Sequence, residues 1–169
     1  DLLTSVNTPE AQKAIRQILA SDTAKNDPRA TQLLQRVGFI DQPDKETMTF
    51  MKDRYANAKA TKNKNDRLAS AFTLGSVASH SDKVESREVV ESLKKDLKEA
   101  PPEETALYLR ALANTSSPMA FGTFQSYATS ADPQVRVAVA DALHEPPLPE
   151  SLELLMSMVS DQDRDVQQK

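Results

Sequence analysis

The sequence contains no cysteine and no tryptophan, and aromatic residues make up only 5% of its 169 positions. Without cysteine the chain can form neither a disulfide nor a thiolate metal site, although this does not identify a compartment. The scarcity of aromatic rings argues against a stacking surface for single-stranded nucleic acid. The formal net charge of −4 provides no overall attraction for DNA or RNA. We therefore expect no nucleic-acid partner.

Long apolar runs and closely spaced glycines are also missing. No run approaches the roughly 20 apolar residues of a membrane span, and no signal peptide is recognisable. Gly38, Gly75 and Gly122 stand far apart, so they form no phosphate-cradling loop. No stretch alternates strictly between apolar and polar residues, as half-buried strands do. The sequence predicts neither a transmembrane segment nor a β-sheet.

Residues 132–143 show the strongest local pattern, that of a single helix. Asp132 can cap its first turn, and Pro133 suits the first helical position because no backbone donor is needed there. Apolar residues surround the helix almost completely, so we expect it to pack on more than one side. The inward positions are Val135, Ala138, Val139 and Ala142, with Val137, Ala140 and Leu143 on the flanks.

The ten prolines divide the remaining chain into further short helices. The predicted starts are Thr8-Pro9, Asp27-Pro28, Pro43, Asn65 or Asp66, Val84, Glu103, Ser117-Pro118 and Glu150, with a loop or frayed end at 57–65 and a last helix beginning within 161–169. The mixed charges on the outward face of 84–99 are typical of a solvated surface. In the helix at 150–160 we expect the apolar residues Leu152, Leu155, Met156 and Val159 to lie inward. The fold class is all-α, with about ten helices.

The ends of alternate helices recur along the chain at intervals of 31, 37, 38 and 31 residues. The aligned positions are Val6, Val37, Leu74, Leu112 and Leu143. Each period holds two antiparallel helices, which bury little alone but form a continuous core when stacked. The sequence therefore predicts an α-solenoid of about five helix pairs.

Within this solenoid, residues 132–143 resemble the second helix of a HEAT repeat. In that family an Asp and an Arg commonly form a ladder between neighbouring repeats, which implies such a role for Asp132 or Asp141 with Arg136. Asp163 repeats the first element 31 residues later, but Gln167 replaces the arginine. We therefore expect the ladder in one repeat only.

A narrower resemblance is carried by the segments 2–11, 67–77, 107–115 and 135–143. Together they resemble the superhelical domain of the large lipid transfer proteins, the vitellogenin group. The resemblance implies a helical arch that braces lipid-holding sheets supplied by other domains, in a secreted or extracytoplasmic protein. This chain lacks those sheets, so the association with lipid that it implies is indirect.

Three groups of residues could form a metal-binding or phosphate-binding site, but each is explained more simply by a structural role. His80 is predicted in a turn and His144 at a helix C-terminus, where capping or surface roles suffice, and neither has a metal partner at helical spacing. The first half of a calcium-binding loop is similar in spacing to Asp161, Asp163 and Asp165. However, Val166 occupies the position where that loop requires glycine, so helix capping is the favoured interpretation. A basic cluster, consisting of Lys59, Lys62, Lys64 and Arg67, is more typical of a solvated loop than of a phosphate site.

We expect residues 1–169 to form a single HEAT-like domain, a non-catalytic scaffold without catalytic, cofactor-binding or metal-binding residues. Its partners would be another protein or neighbouring domains, and the residues that bind them stay unassigned. Two alternatives are a general HEAT-repeat adaptor for protein–protein interaction and a HEAT-like nucleic-acid enzyme. Leu2, Leu3 and Val6 form an apolar strip without a start signal, and the last helix is cut short, so we expect a fragment of a longer protein.

Overall fold

A computed structural model describes residues 7–21, 24, 27–61, 63–144 and 149–169. Within these ranges the chain is helical and contains no strand, which confirms the all-α prediction. The helices are α1 (Pro9–Ala20), α2 (Pro28–Val37), α3 (Lys45–Ala60), α4 (Lys64–Ser79), α5 (Lys83–Glu99), α6 (Pro102–Ala113), α7 (Phe121–Tyr127, after a 3-10 turn at Pro118–Ala120), α8 (Pro133–Ala142), α9 (Pro149–Met158) and α10 (Arg164–Gln167). None of the helices in this described part is long and apolar enough to cross a bilayer.

Capping side chains determine where most helices begin. Thr8, Asp27, Asp82, Asp132 and Asp163 each accept a hydrogen bond from a backbone N–H in the first turn of the helix that follows. Such bonds satisfy donors that the helix itself leaves unpaired. The predicted starts at Pro9, Pro28 and Pro133 are confirmed, and the last helix begins within 161–169 as expected.

Two predicted starts are wrong because a different residue provides the cap. Three others, Val84, Glu103 and Glu150, each fall one residue after the observed start of α5, α6 and α9. The third helix begins at Lys45 rather than Pro43, since Asp44 accepts a hydrogen bond from Thr47 N. The fourth begins at Lys64, after the Asn63 cap, rather than at Asn65 or Asp66. Much of the expected loop at 57–65 is therefore helical. Helix α3 continues to Ala60 because Ala58, near its end, is buried in the protein.

The helices form two layers that share one core. The even-numbered helices stack in order, α2 on α4, α4 on α6, α6 on α8 and α8 on α10, and we call them the stacking layer. Odd-numbered helices flank them, each of α1, α3, α5 and α7 packing against its even-numbered successor. Nearly all the buried apolar residues between Ile15 and Val166 belong to a single cluster. This is the stacked-pair architecture of an α-solenoid.

The predicted repeat register is confirmed wherever the structure describes it. Val37, Leu74, Leu112 and Leu143 are all buried on successive stacking-layer helices. Three of them lie at a helix end, whereas Leu74 lies within α4, which continues to Ser79. Val6, with the rest of the apolar strip at 2–6, lies outside the described residues. Helix α8 is buried at nearly every position, including Arg136, because it contacts α6, α7 and α10.

The orientation of α9 differs from the prediction. Leu152, Met156 and Val159 are 61%, 67% and 64% exposed, whereas Ser151 and Met158 face the protein. Leu155, which was also expected inward, is half-buried. Because apolar residues occur around more than one side of this helix, periodicity alone selects no single inward face.

Candidate interaction surfaces

The basic cluster near the α3–α4 turn does not form a common site. Lys59 Nζ lies 2.9 Å from Asp96 Oδ2 on α5, whereas Arg67 Nη2 lies 2.6 Å from Glu104 Oε2 on α6. Lys64 Nζ approaches Glu104 at 3.5 Å. Lys62 lies outside the described residues. The expectation of a solvated loop is therefore wrong for these three side chains, which neutralise carboxylates on the next hairpin.

Asp96 also accepts a hydrogen bond from Tyr55, a buried tyrosine of α3. The Tyr55 hydroxyl donates a 2.6 Å hydrogen bond to Asp96 Oδ2, and the Lys59 ammonium lies 4.7 Å from the centre of the Tyr55 ring. Burial, together with the Asp96 carboxylate, raises the pKa of Tyr55 far above its ordinary value. The phenol therefore stays a hydrogen-bond donor and links α3 to α5.

Arg136 makes a contact of the ladder type, but its partner differs from the one the HEAT pattern implies. Its Nε and Nη2 donate to the two carboxylate oxygens of Asp161 at 2.7 and 2.8 Å, and its Nη1 donates to Ser130 O at 2.7 Å. Asp132 instead caps its own helix through Gln134 N. The Arg136 guanidinium holds the pKa of Asp161 below its ordinary value. Planar bidentate pairing of this kind fixes the orientation of both groups.

A second rung passes through Asp141 on α8. Arg110 on α6 lies 4.0 Å from Asp141 Oδ2, and Lys169, after α10, lies 3.2 Å from Asp141 Oδ1. One carboxylate thus lies between cations from the preceding and the following repeat. The ladder therefore extends further than the single repeat expected from the sequence.

The acidic triplet and the histidines have structural roles. Asp161 is engaged by Arg136, and Asp163 caps α10 by accepting from Asp165 N at 2.9 Å. Over the described ranges, no group of three or more possible ligands could hold a metal ion. His80 ends α4, where its Nδ1 lies 3.1 Å from Ser76 O, and exposed His144 contacts Lys169 O. Asp163 thus caps a helix as expected, whereas Asp161 forms an ion pair with Arg136 instead.

Three surfaces in the described part of the chain are candidates for binding a partner, and none of them was predicted from the sequence. A cleft of about 960 Å³ separates the first two hairpins and is lined by residues including Leu34, Phe50 and Arg54. A second cleft, of about 690 Å³, lies between α5 and α7. The third surface is the α9 apolar face, which consists of Leu152, Met156 and Val159. The lysines at 94, 95 and 98 were the available signal for the second cleft, but they were interpreted as part of a solvated face.

Comparison with protein families identifies the fold. The family model described as "Vitellogenin TPR domain" matches residues 1–165, nearly the whole chain.

The chain belongs to the vitellogenin TPR domain family.

This vitellogenin-type domain is a helical domain of the lipid-transfer-protein type, as the resemblance in the sequence implied. The family's description refers to TPR repeats, whereas residues 132–143 resemble a HEAT repeat. Both are helix pairs that stack into a superhelix. Domains of this family are in general non-enzymatic. A search of the curated proteins found no match.

Proposed function

We propose that this vitellogenin-type domain is a non-catalytic scaffold, a helical arch within a larger lipid-transfer protein. In this proposal it braces the lipid-holding sheets of its neighbours and provides surfaces for protein contacts. The charged groups suit such a role, because they link successive hairpins to each other. A stack joined by a shared core and by ion pairs resists bending between repeats better than the core alone.

The α9 apolar face is the observation that carries this proposal. Leu152 and Met156 lie four residues apart, on one side of α9. Val159 follows directly after the last residue of α9, and its backbone N–H still donates to Leu155 O at 3.2 Å, so it extends the same side. Isolated exposed apolar residues are ordinary, whereas contiguous ones mark surfaces that contact another apolar surface. A neighbouring part of the same lipid-transfer protein would cover this face and couple the arch to its lipid-holding region.

The test uses the full-length protein with Leu152→Ser and Met156→Ser combined. We expect purified protein to carry severalfold less lipid than the wild type and to be cleaved faster by protease. Both residues are exposed, so the 169-residue chain alone should melt as the wild type does. Val84→Ser is the control, since Val84 is 67% exposed but lies at the start of α5. Unchanged lipid content in the double variant would refute the proposal.

The general adaptor is the second candidate, because the same face could accept a separate protein. The same double variant distinguishes the two functions. An adaptor would lose a protein partner in pull-down from the native source while its lipid content stayed constant. The nucleic-acid enzyme has less support, since Lys59, Lys64 and Arg67 neutralise carboxylates of the chain itself.

A further inference from the structure

The cleft between α5 and α7 differs in charge from the rest of the molecule. Its α5 wall includes Lys94, Lys95 and Lys98, against a single carboxylate, Glu91. Lys94 pairs with Glu91 at 3.2 Å. Within the described residues Lys95 and Lys98 have no ion-pair partner, and both are exposed. The cleft is therefore locally cationic in a chain whose net charge is −4.

The opposite wall provides apolar surface and hydroxyl groups. Met119 of the 3-10 turn is partly exposed there, and Tyr127 at the end of α7 is half-buried. Thr123 lies between them in sequence and also lines the cleft. Gly122 also lines the cleft, and a Cβ atom at this position would meet no atom within 4 Å. A cationic edge thus faces a partly apolar wall. We call the six residues Lys94, Lys95, Lys98, Met119, Thr123 and Tyr127 the lysine groove.

We infer that the lysine groove binds an acidic, extended segment of a partner protein. Lys95 and Lys98 are three residues apart on one helix, so their Cβ atoms are about 5–6 Å apart. Alternate side chains of an extended chain lie about 7 Å apart on the same side. Carboxylates at positions i and i+2 of such a segment therefore reach Lys95 and Lys98 together, while an apolar side chain packs against Met119 and Tyr127.

Charge complementarity distinguishes this groove from the other surfaces. Elsewhere in the stack, cations such as Arg67 and Arg136 are already held by carboxylates of the chain, so an acidic ligand would have to displace them. In the lysine groove an incoming carboxylate displaces only water and salt ions. The cationic surface is one short helical edge beside an apolar wall, which suits a narrow peptide segment better than a broad polyanion. This inference does not depend on the α9 apolar face or on lipid.

Binding of a fluorescent ten-residue peptide tests the inference, with the whole 169-residue chain as receptor. The peptide carries Glu at alternate positions around one Leu, and its control carries Gln in place of Glu. In fluorescence polarisation at low salt we expect the acidic peptide to bind and the Gln peptide to bind at least about tenfold more weakly. Equal binding of the two peptides, or no binding at millimolar protein, would overturn the inference.

Two matched charge-reversal variants locate the site. Lys95→Glu with Lys98→Glu should weaken peptide binding at least about tenfold. Lys83→Glu with Arg87→Glu changes the charge equally on the same helix, but outside the groove, and should alter affinity less than about twofold. All four side chains are exposed, so both variants should fold, as circular dichroism would show. If both variants lost the same peptide affinity, net charge alone would explain the binding, and the lysine groove would not be the binding site.

Methionine methyl NMR and competing polyanions complete the test. The Met119 methyl signal should shift on peptide addition, while those of buried Met48 and Met51 should not. An unlabelled oligothymidine and phosphatidylserine vesicles serve as competitors. If either binds more tightly than the peptide and depends equally on Lys95 and Lys98, the groove serves nucleic acid or membrane, and the peptide inference is wrong. These binding experiments do not measure lipid content, so a negative result would leave the scaffold proposal unaffected.

Discussion

Arg67 Nη2 on α4 lies 2.6 and 2.7 Å from the two carboxylate oxygens of Glu104 on α6. The Glu104 side chain is only 4% exposed, and Lys64 approaches the same carboxylate. Arg67 Nε is buried and has no hydrogen-bond partner among the described residues, so the carboxylate provides the main polar contact of this guanidinium. One buried anion on α6 therefore balances two cations on α4, and this pairing joins two neighbours in the stacking layer.

Replacing Glu104 with Gln should destabilise the domain. Removing one partner of a buried pair leaves the other charge uncompensated, and because Arg67 is partly exposed we expect a loss of about 3 kcal/mol. Urea denaturation measures this loss as a lower midpoint. Glu88→Gln is the matched control, since the pair between Lys52 and Glu88 is more exposed and should contribute less than about 1 kcal/mol. Similar small losses in both variants would contradict the role of Glu104.

Gly75 allows α4 and α6 to approach closely. A Cβ atom at this position would overlap the Ala111 carbonyl oxygen and lie 3.2 Å from Asn114 Cβ. Gly75→Ala should therefore cost about 1–3 kcal/mol, although alanine normally stabilises a helix by about 0.5–1 kcal/mol relative to glycine. Gly122→Ala is the control, because its Cβ meets open space and should be neutral or stabilising. A stabilising Gly75→Ala change in thermal unfolding would show that the helices lie further apart.

Leu112 and Leu143 should be among the most sensitive apolar positions. Both are fully or almost fully buried at the ends of stacking-layer helices. Truncation of either to alanine should lower the unfolding free energy by about 2–5 kcal/mol. Leu152→Ala removes the same atoms from an exposed site and should change it by less than about 0.5 kcal/mol. A loss below about 0.5 kcal/mol at Leu112 or Leu143 would mean that the repeat register is wrong.

The pair between Arg136 and Asp161 should make stability depend on pH in the acid range. The hydrogen bonds from Arg136 lower the pKa of Asp161 in the folded state, so the native state binds fewer protons than the unfolded state. The stabilisation is complete above the unfolded-state pKa of about 4 and is lost as pH falls through the folded-state pKa. Asp161→Asn should lower the melting temperature at neutral pH, and the difference from wild type should shrink in acid.

Asp165→Asn serves as the control for this pH dependence, because Asp165 is exposed and its side chain makes no ion pair in the described part of the chain. Melting curves of the three proteins from about pH 7 down to about pH 2.5 test the argument. A gap between wild type and Asp161→Asn that stayed constant over this range would contradict it.

The sequence alone predicted the helices and their repeat because these depend on local free energies. A proline at the first helical position, as at Pro133, and a side-chain cap, as at Asp27 or Asp163, stabilise a helix start within one turn. Burial of Leu74, Leu112 and Leu143 followed from a periodic pattern that any stacked arrangement of these helices must satisfy. The predicted helix start at Pro43 was wrong for an equally local reason, because Asp44 caps the helix, which therefore begins at Lys45.

The candidate surfaces and the contacts between hairpins were decided by tertiary packing. Asp161 lies 25 residues from Arg136, and Asp96 lies 37 from Lys59, so no local pattern specifies either pair. Which carboxylate meets which cation depends on the rotation of each helix about its axis, and that rotation is set by how whole faces pack. The same rotation turned Leu152, Met156 and Val159 outward, because burying Ser151 and Met158 determined the side of α9 that meets the protein. Periodicity limits the possible faces, but only the packed neighbours select one.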